Sequence, residues 1–206
     1  GKFDLQVTKC DGGSFDGEEI SFFEQEKDVK TTSRGYWTGE LLDIYMVGVV
    51  DDAINKSLYK YTKDVKEDSI IINESLGRRE NKTVGDNFPV GEKDFQIIEV
   101  IKTDTMSDYK MPMVIMELSQ LHQLLGHKDT MQVNYILLQC YDSAYTKHDD
   151  GLTLSSRIGL QNPNYQVSDQ RVGDDYNTML QNIRVVFKGF FVVVIMISGL
   201  FVVSIF

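Results

Sequence analysis

Residues 69–88 read SIIINESLGRRENKTVGDNF. Ser69–Asn73 is a short β-branched run, which predicts a strand. The Asn73 side chain can accept a hydrogen bond from the first turn of a helix, so Glu74–Glu80 is expected as one or two helical turns with Asn73 as cap. Leu76 is the apolar residue that would anchor that turn to a core. Val84-Gly85-Asp86 then reads as a tight connection into the next strand. A strand running through a capped short helix and a turn into another strand argues for a mixed architecture, not an all-β or all-α one.

The flanking sequence repeats this rhythm. Upstream, Leu41–Val50 (LLDIYMVGVV) is apolar almost throughout and predicts a central strand buried on both faces. A strand over Val29–Trp37 precedes it, and a short helix or turn around Ala53–Tyr59 follows. Near the start, Phe3, Leu5 and Val7 alternate with polar residues as in a half-buried strand. Asp16 and Glu19 have the spacing of a capping box before Ile20, Phe22 and Phe23. Downstream, Phe95–Lys102 (FQIIEVIK), Pro112–Met116 and Met131–Tyr141 predict strands. Ser119 is expected to cap the short helix LHQLL, which Gly126 ends. Leu152, Leu154, Ile158 and Leu160 suit an amphipathic helix, broken by Asn162-Pro163-Asn164. No internal repeat or linker divides this region. The expected fold class is α+β: a mixed β-sheet domain with short helices over residues 1–173.

From Asp174 the pattern turns helical. Met179, Ile183, Val186 and Phe187 form the packing face of a predicted stalk helix over 174–189. It leads into Phe190–Phe206 (FFVVVIMISGLFVVSIF), which carries no charge. As a helix this run reaches about 26 Å, against a hydrocarbon core of about 30 Å. It is expected to be a transmembrane helix truncated before its far end, running from Phe190 through Val194 to Phe206 in the lipid bilayer. Ser198, Gly199 and Ser204 are small enough for close packing against other membrane helices. The chain starts at Gly1 without an initiator Met or a signal peptide, and is expected to be an excised or processed piece of a larger protein.

Composition excludes several functions. A net charge of −10 argues against a phosphate-tracking surface, so nucleic acid is not an expected partner. Cys10 and Cys140 do not make a disulfide framework; one bridge and two separate thiols both remain open. His122 and His127 lack the i, i+4 spacing of a helical zinc pair and are expected to be surface residues. Asp11 and Asp16 do not have the spacing of an EF-hand loop. The acidic pairs Asp51-Asp52, Asp149-Asp150 and Asp174-Asp175 read as solvated loops and helix starts. Sequons begin at Asn55, Asn73 and Asn81. No nucleotide-binding or nucleophile motif occurs, so neither an enzyme nor a cofactor is expected.

In order, GKFDLQV, VKTTSRGYW, the strand ending VGVVDD, SIIINESLGRRENKTVGDNF, FQIIEVIKTD and PMVIMELSQLHQLLG, with the polar helix entering an apolar span, resemble the extracytoplasmic core domain of FtsX/MacB-type ABC transporter permeases. The resemblance covers residues 1–142 and 174–206. Glu99 departs from it, standing where the family often has Gly in the return strand. The resemblance implies a soluble domain outside the cell membrane, a separate cytoplasmic ABC ATPase subunit, and a second permease copy in a homodimer. It also implies a stalk that passes motion outward to the domain, and an extracytoplasmic adaptor or substrate protein as a further partner. The alternative is a membrane-anchored binding or sensor module with no transport role.

Overall fold

A computed structural model describes residues 2–41, 43–102, 111–147 and 151–170. The chain divides into two compact units, Gly1–Ser168 and Asp169–Phe206. Of the second unit, only Asp169 and Gln170 are among the described residues. The predicted stalk over 174–189 and membrane segment over 190–206 lie outside the described residues. Among the described residues no helix is long and apolar enough to cross a membrane.

The first unit is α+β. Its strands are β1 Leu5–Lys9, β2 Val29–Leu41, β3 Ile44–Val49, β4 Ser69–Asn73, β5 Asn87–Val90, β6 Lys93–Ile101, β7 Met113–Glu117, β8 Tyr135–Cys140 and β9 Tyr165–Asp169. Its helices are α1 Gly17–Gln25, α2 Ala53–Tyr59, α3 Glu74–Glu80, α4 Leu118–Leu124 and α5 Leu154–Gln161, with a 3-10 turn at Asp142–Tyr145. The strands make one sheet in the order β5-β6-β4-β7-β3-β2-β8-β1-β9. β3 runs parallel to β7 and β4 parallel to β6, while β2 is antiparallel to both β3 and β8.

Helices cover both faces, which explains why β3 is apolar on both sides. Ile44 and Met46 pack with Leu76 and Leu121 under α3 and α4, whereas Val47 and Val49 pack with Tyr61 and Val65 on the other face. α4 lies directly on β3 at Gly48, where an added Cβ would sit 3.1 Å from the Leu118 Cα. Side-chain bulk at Gly48 would push the helix off the sheet. On β8 the same division holds: Ile136 and Leu138 join the core under α1 and α5, and Tyr135 and Leu137 pack toward α2.

Local signals place most elements well. Asp16 caps α1 through the Glu19 N–H, and the Glu19 carboxylate returns a bond to the Asp16 N–H, each 2.8 Å. Asn73 caps α3 through the Leu76 N–H at 3.0 Å, with Leu76 fully buried. Gly85 takes φ 94 in the expected connection.

Four expectations need correction. The strand expected from Leu41 starts at Ile44, because the chain turns through Asp43 at φ 53 and β2 extends to Leu41 instead. Ser119 does not cap α4; it lies inside the helix, the N-cap is Glu117, and no side-chain cap bond forms. The strand expected from Met131 starts only at Tyr135. Asn134 turns its side-chain amide onto the backbone of Trp37, accepting from its N–H at 3.0 Å and donating to its carbonyl at 2.8 Å. Leu160 is 69 % exposed, so the apolar face of α5 is narrower than expected and rests on Leu154 and Ile158. Strands β5 and β9, which complete the two edges, carry no pattern strong enough to predict them.

Candidate functional site

The edge β8-β1-β9 holds the first and the last of the described strands. β1 is antiparallel to β8, with Leu5 opposite Leu138 and Val7 opposite Ile136. At the end of β1 the Cys10 N–H donates to the Asn164 carbonyl at 2.8 Å, just before β9 begins. β1 and β9 therefore run in opposite directions, and the start of β1 lies at the same end of the sheet as the finish of β9.

Polar ties between residues distant in sequence hold this edge. The Asp4 carboxylate accepts from the Cys140 N–H at 2.7 Å, and the Asn164 amide donates to Asp11 at 2.9 Å. Asp11, in its Gly-rich loop, thus holds the start of β9. Glu19 collects two partners besides its capping role: the Lys9 ammonium at 2.8 Å and the Tyr165 hydroxyl at 2.7 Å. Burial raises the Glu19 pKa, but the Lys9 hydrogen bond, the Asp16 N–H and the Tyr165 hydroxyl outweigh it and the net shift is downward. The Tyr165 phenol is pushed up to about 12 by burial and by the neighbouring Glu19. On α5, Arg157 pairs with Asp28, which is buried, and with Glu26 at 3.6 Å. The Ser143 hydroxyl gives Asp28 a second donor at 2.8 Å.

A buried polar chain sits one strand further in. The Tyr135 hydroxyl on β8 donates to the Asn55 carbonyl oxygen at 3.0 Å, and the Asn55 amide donates to the Ser33 hydroxyl at 2.8 Å. Ser33 donates onward to Asp52, whose other oxygen caps α2 through Ile54 and Asn55. The network joins β8, β2 and α2 with every member paired, and it requires Gly35: a Cβ there would overlap the Tyr135 hydroxyl and lie 2.6 Å from the Gly48 carbonyl oxygen. Asn55 and Asn73 are buried, so two of the three sequons are structural. The Asp51-Asp52 pair was expected only as a solvated loop or helix start, and nothing in the sequence pointed to Tyr135 as a partner of Asn55.

The residues singled out for the stalk (Met179, Ile183, Val186, Phe187) and the membrane segment (Phe190, Val194, Ser198, Gly199, Phe206) all lie outside the described residues. So do His148, Asp149-Asp150 and Asp174-Asp175. Glu99 sits beside a bulge in β6: Ile70 pairs with Ile97 but Ile71 pairs with Glu99. The bulge turns its carboxylate onto the N–H groups of Thr62 and Lys63, at 2.9 and 2.8 Å. The departure from glycine therefore pins the loop after α2. Cys10 is exposed, Cys140 is buried, and neither forms a disulfide. His122 corrects the surface expectation, since it is fully buried and its Nδ1 lies 2.9 Å from the Nδ1 of His127. Among the described residues no group of three or more His, Cys, Asp or Glu converges as a metal site.

No protein-family model matches the sequence, and no curated protein matches it in sequence. Solved structures do resemble the fold. The periplasmic region of MacB from Actinobacillus actinomycetemcomitans superposes with a TM-score of 0.52 at 10 % identity, covering 87 % of this chain and 92 % of that one. The extracellular domain of the noncanonic ABC-type transporter YknZ from Gram-positive bacteria gives 0.51 at 16 % identity, covering 81 % and 99 %. The domain thus has the fold of the extracytoplasmic core domains of MacB-like permeases, as the ordered motifs of its sequence suggested.

Proposed function

We propose that this domain is the extracytoplasmic part of an FtsX/MacB-type ABC permease subunit, working as a relay and not as a catalyst. The observation that carries the reading is that β1 and β9, the first and last of the described strands, lie side by side at one edge and run in opposite directions. The start of β1 and the finish of β9 lie at the same end of the sheet, the arrangement that a domain suspended between two membrane passages would need. A displacement delivered to β9 acts on β1 directly and on β8 through β1, and the ties of Asn164, Tyr165 and Arg157 resist local yielding.

In this reading a separate cytoplasmic ABC ATPase supplies the energy and two permease copies pair in the cell membrane. The helix predicted over 174–189 carries motion from the membrane segment to the domain. No Pro interrupts residues 174–206, and a stiff helix transmits displacement that a Gly/Ser linker would absorb. The output is export, lipoprotein or peptide handling, or signalling to an extracytoplasmic partner.

The test is insertion of a flexible Gly/Ser segment near Gly189 in the full-length protein with its ATPase. ATP hydrolysis is expected to continue while export or signalling is lost. Coupling that survives the insertion overturns the relay and leaves the anchored binding or sensor module as the better account.

A further inference from the structure

The C-terminus of α4 places two imidazoles against each other. Leu125 is the C-cap and Gly126 follows at φ 69. The His127 N–H bonds back to the His122 carbonyl at 3.0 Å and the Gly126 N–H to the Gln123 carbonyl at 3.1 Å, the paired bonds of a Schellman motif. That motif normally closes with an apolar contact between the positions that His127 and His122 occupy here. In its place the two rings lie 5.1 Å apart at 33°, with their Nδ1 atoms at 2.9 Å. The Tyr36 ring packs edgewise on both, at 4.7 and 5.8 Å.

We propose that His122 and His127 form a two-imidazole site for a borderline-soft divalent transition-metal ion, copper(II) or nickel(II) before zinc. Two features of the pair support this. The Nε2 of His122 lies 2.8 Å from the Gln132 carbonyl, which can only accept, so Nε2 carries the proton and Nδ1 presents a lone pair. A backbone carbonyl holding the far nitrogen is the usual support of a metal-binding histidine. His127 is partly exposed and gives solvent a route in.

The separation also selects the metal. Two nitrogens each about 2.0–2.1 Å from one ion and 2.9 Å apart subtend an angle of about 90°, the cis angle of tetragonal copper(II) or nickel(II). Tetrahedral zinc asks for a separation of about 3.3 Å. His127 moves its ring proton from Nδ1 to Nε2 through solvent and rotates slightly to admit the ion, so neutral rings bind it with no net proton release. The carbonyl end of α4 and the charge of Asp129 favour a cation there. Water fills the remaining positions.

The experiment is copper(II) titration of the full-length, untagged chain, followed by pulsed electron paramagnetic resonance. The expected result is one copper bound per chain with two imidazole nitrogens. His127→Phe, which keeps an apolar ring at the motif, should lower affinity at least tenfold and leave no more than one nitrogen. The chain's third histidine provides the control, and His148→Ala should leave the signal unchanged. His127→Asn serves as a second variant, with circular dichroism confirming that either variant is folded. A parent without the two-nitrogen signal, or a folded His127 variant that keeps it, overturns the site.

Discussion

Third from the β5 edge, β4 buries all five of its residues, three of them isoleucines in the aliphatic core, and the helix that follows takes its cap from the strand's own last residue. At the other end β1 and β9 are short and partly exposed, and their ties reach far along the chain: Asp4 to Cys140, Glu19 to Tyr165, Asp28 to Arg157. The β4 end is held by burial, which is non-directional and tolerant of small displacement. The β1–β9 edge is held by directional bonds between fixed partners. An edge that passes displacement benefits from the second kind of linkage, while a platform that stays in place benefits from the first.

Gly35 is where the two regimes meet, and Gly35→Ala is expected to have the largest effect. The methyl group would displace Tyr135 from the Asn55–Ser33–Asp52 chain and press on the carbonyl of Gly48. Overpacking together with a stranded buried donor amounts to about 2–6 kcal/mol. Urea denaturation should show the folded state largely lost; a midpoint near that of the parent would mean that β2 and β8 can separate freely, and the network would not be a joint.

Two further substitutions compare the ends directly. Leu76→Ala opens a cavity under α3 and should cost about 3–4 kcal/mol, spread over the whole cooperative transition. Arg157→Met leaves the buried Asp28 carboxylate with Ser143 in place of an ion pair. Because Arg157 is partly exposed, the loss should be nearer about 2–3 kcal/mol. Its signature is local: amide exchange should rise in α5 and β9 and stay slow in β4 and β6. Equal acceleration at β4 would erase the distinction between the ends.

The same contrast explains what could be read from the sequence. Ser69–Asn73, the Asn73 cap, Leu76 and the Asp16–Glu19 box lie within a few residues of their partners, so periodicity and spacing suffice to place them. β9 could not be read, because YQVSD alternates only weakly and its place depends on Cys10 and Asp11, far away in the chain. Tyr135 looks like any strand aromatic until Asn55 and Gly35 are brought beside it. His122 was misplaced for a related reason: i, i+5 is not a shared helix face, and only the reversal at Gly126 brings the two rings together. The edge that the proposed relay depends on is thus the less legible part of the domain.

The smallest expected effect concerns acid, and it tests whether the contact at α4 adds stability of its own. Burial, joined by the charge His127 would carry, holds the folded-state pKa of His122 below 6.5, while Asp129 and the Gln132 carbonyl oppose the shift. Between the folded and unfolded pKa values the unfolded chain binds more protons at this position, so stability rises with pH there. The contribution is complete above about pH 6.5 and is lost as pH falls through the lower folded value. Denaturation midpoints measured from pH 7.5 down to 5 should fall more steeply for the parent than for His122→Gln, which removes the titrating group. Parallel curves would show that His122 accepts a proton in the folded state as readily as in water, and that the packing of Tyr36 and Gln132 around it does not confine the ring.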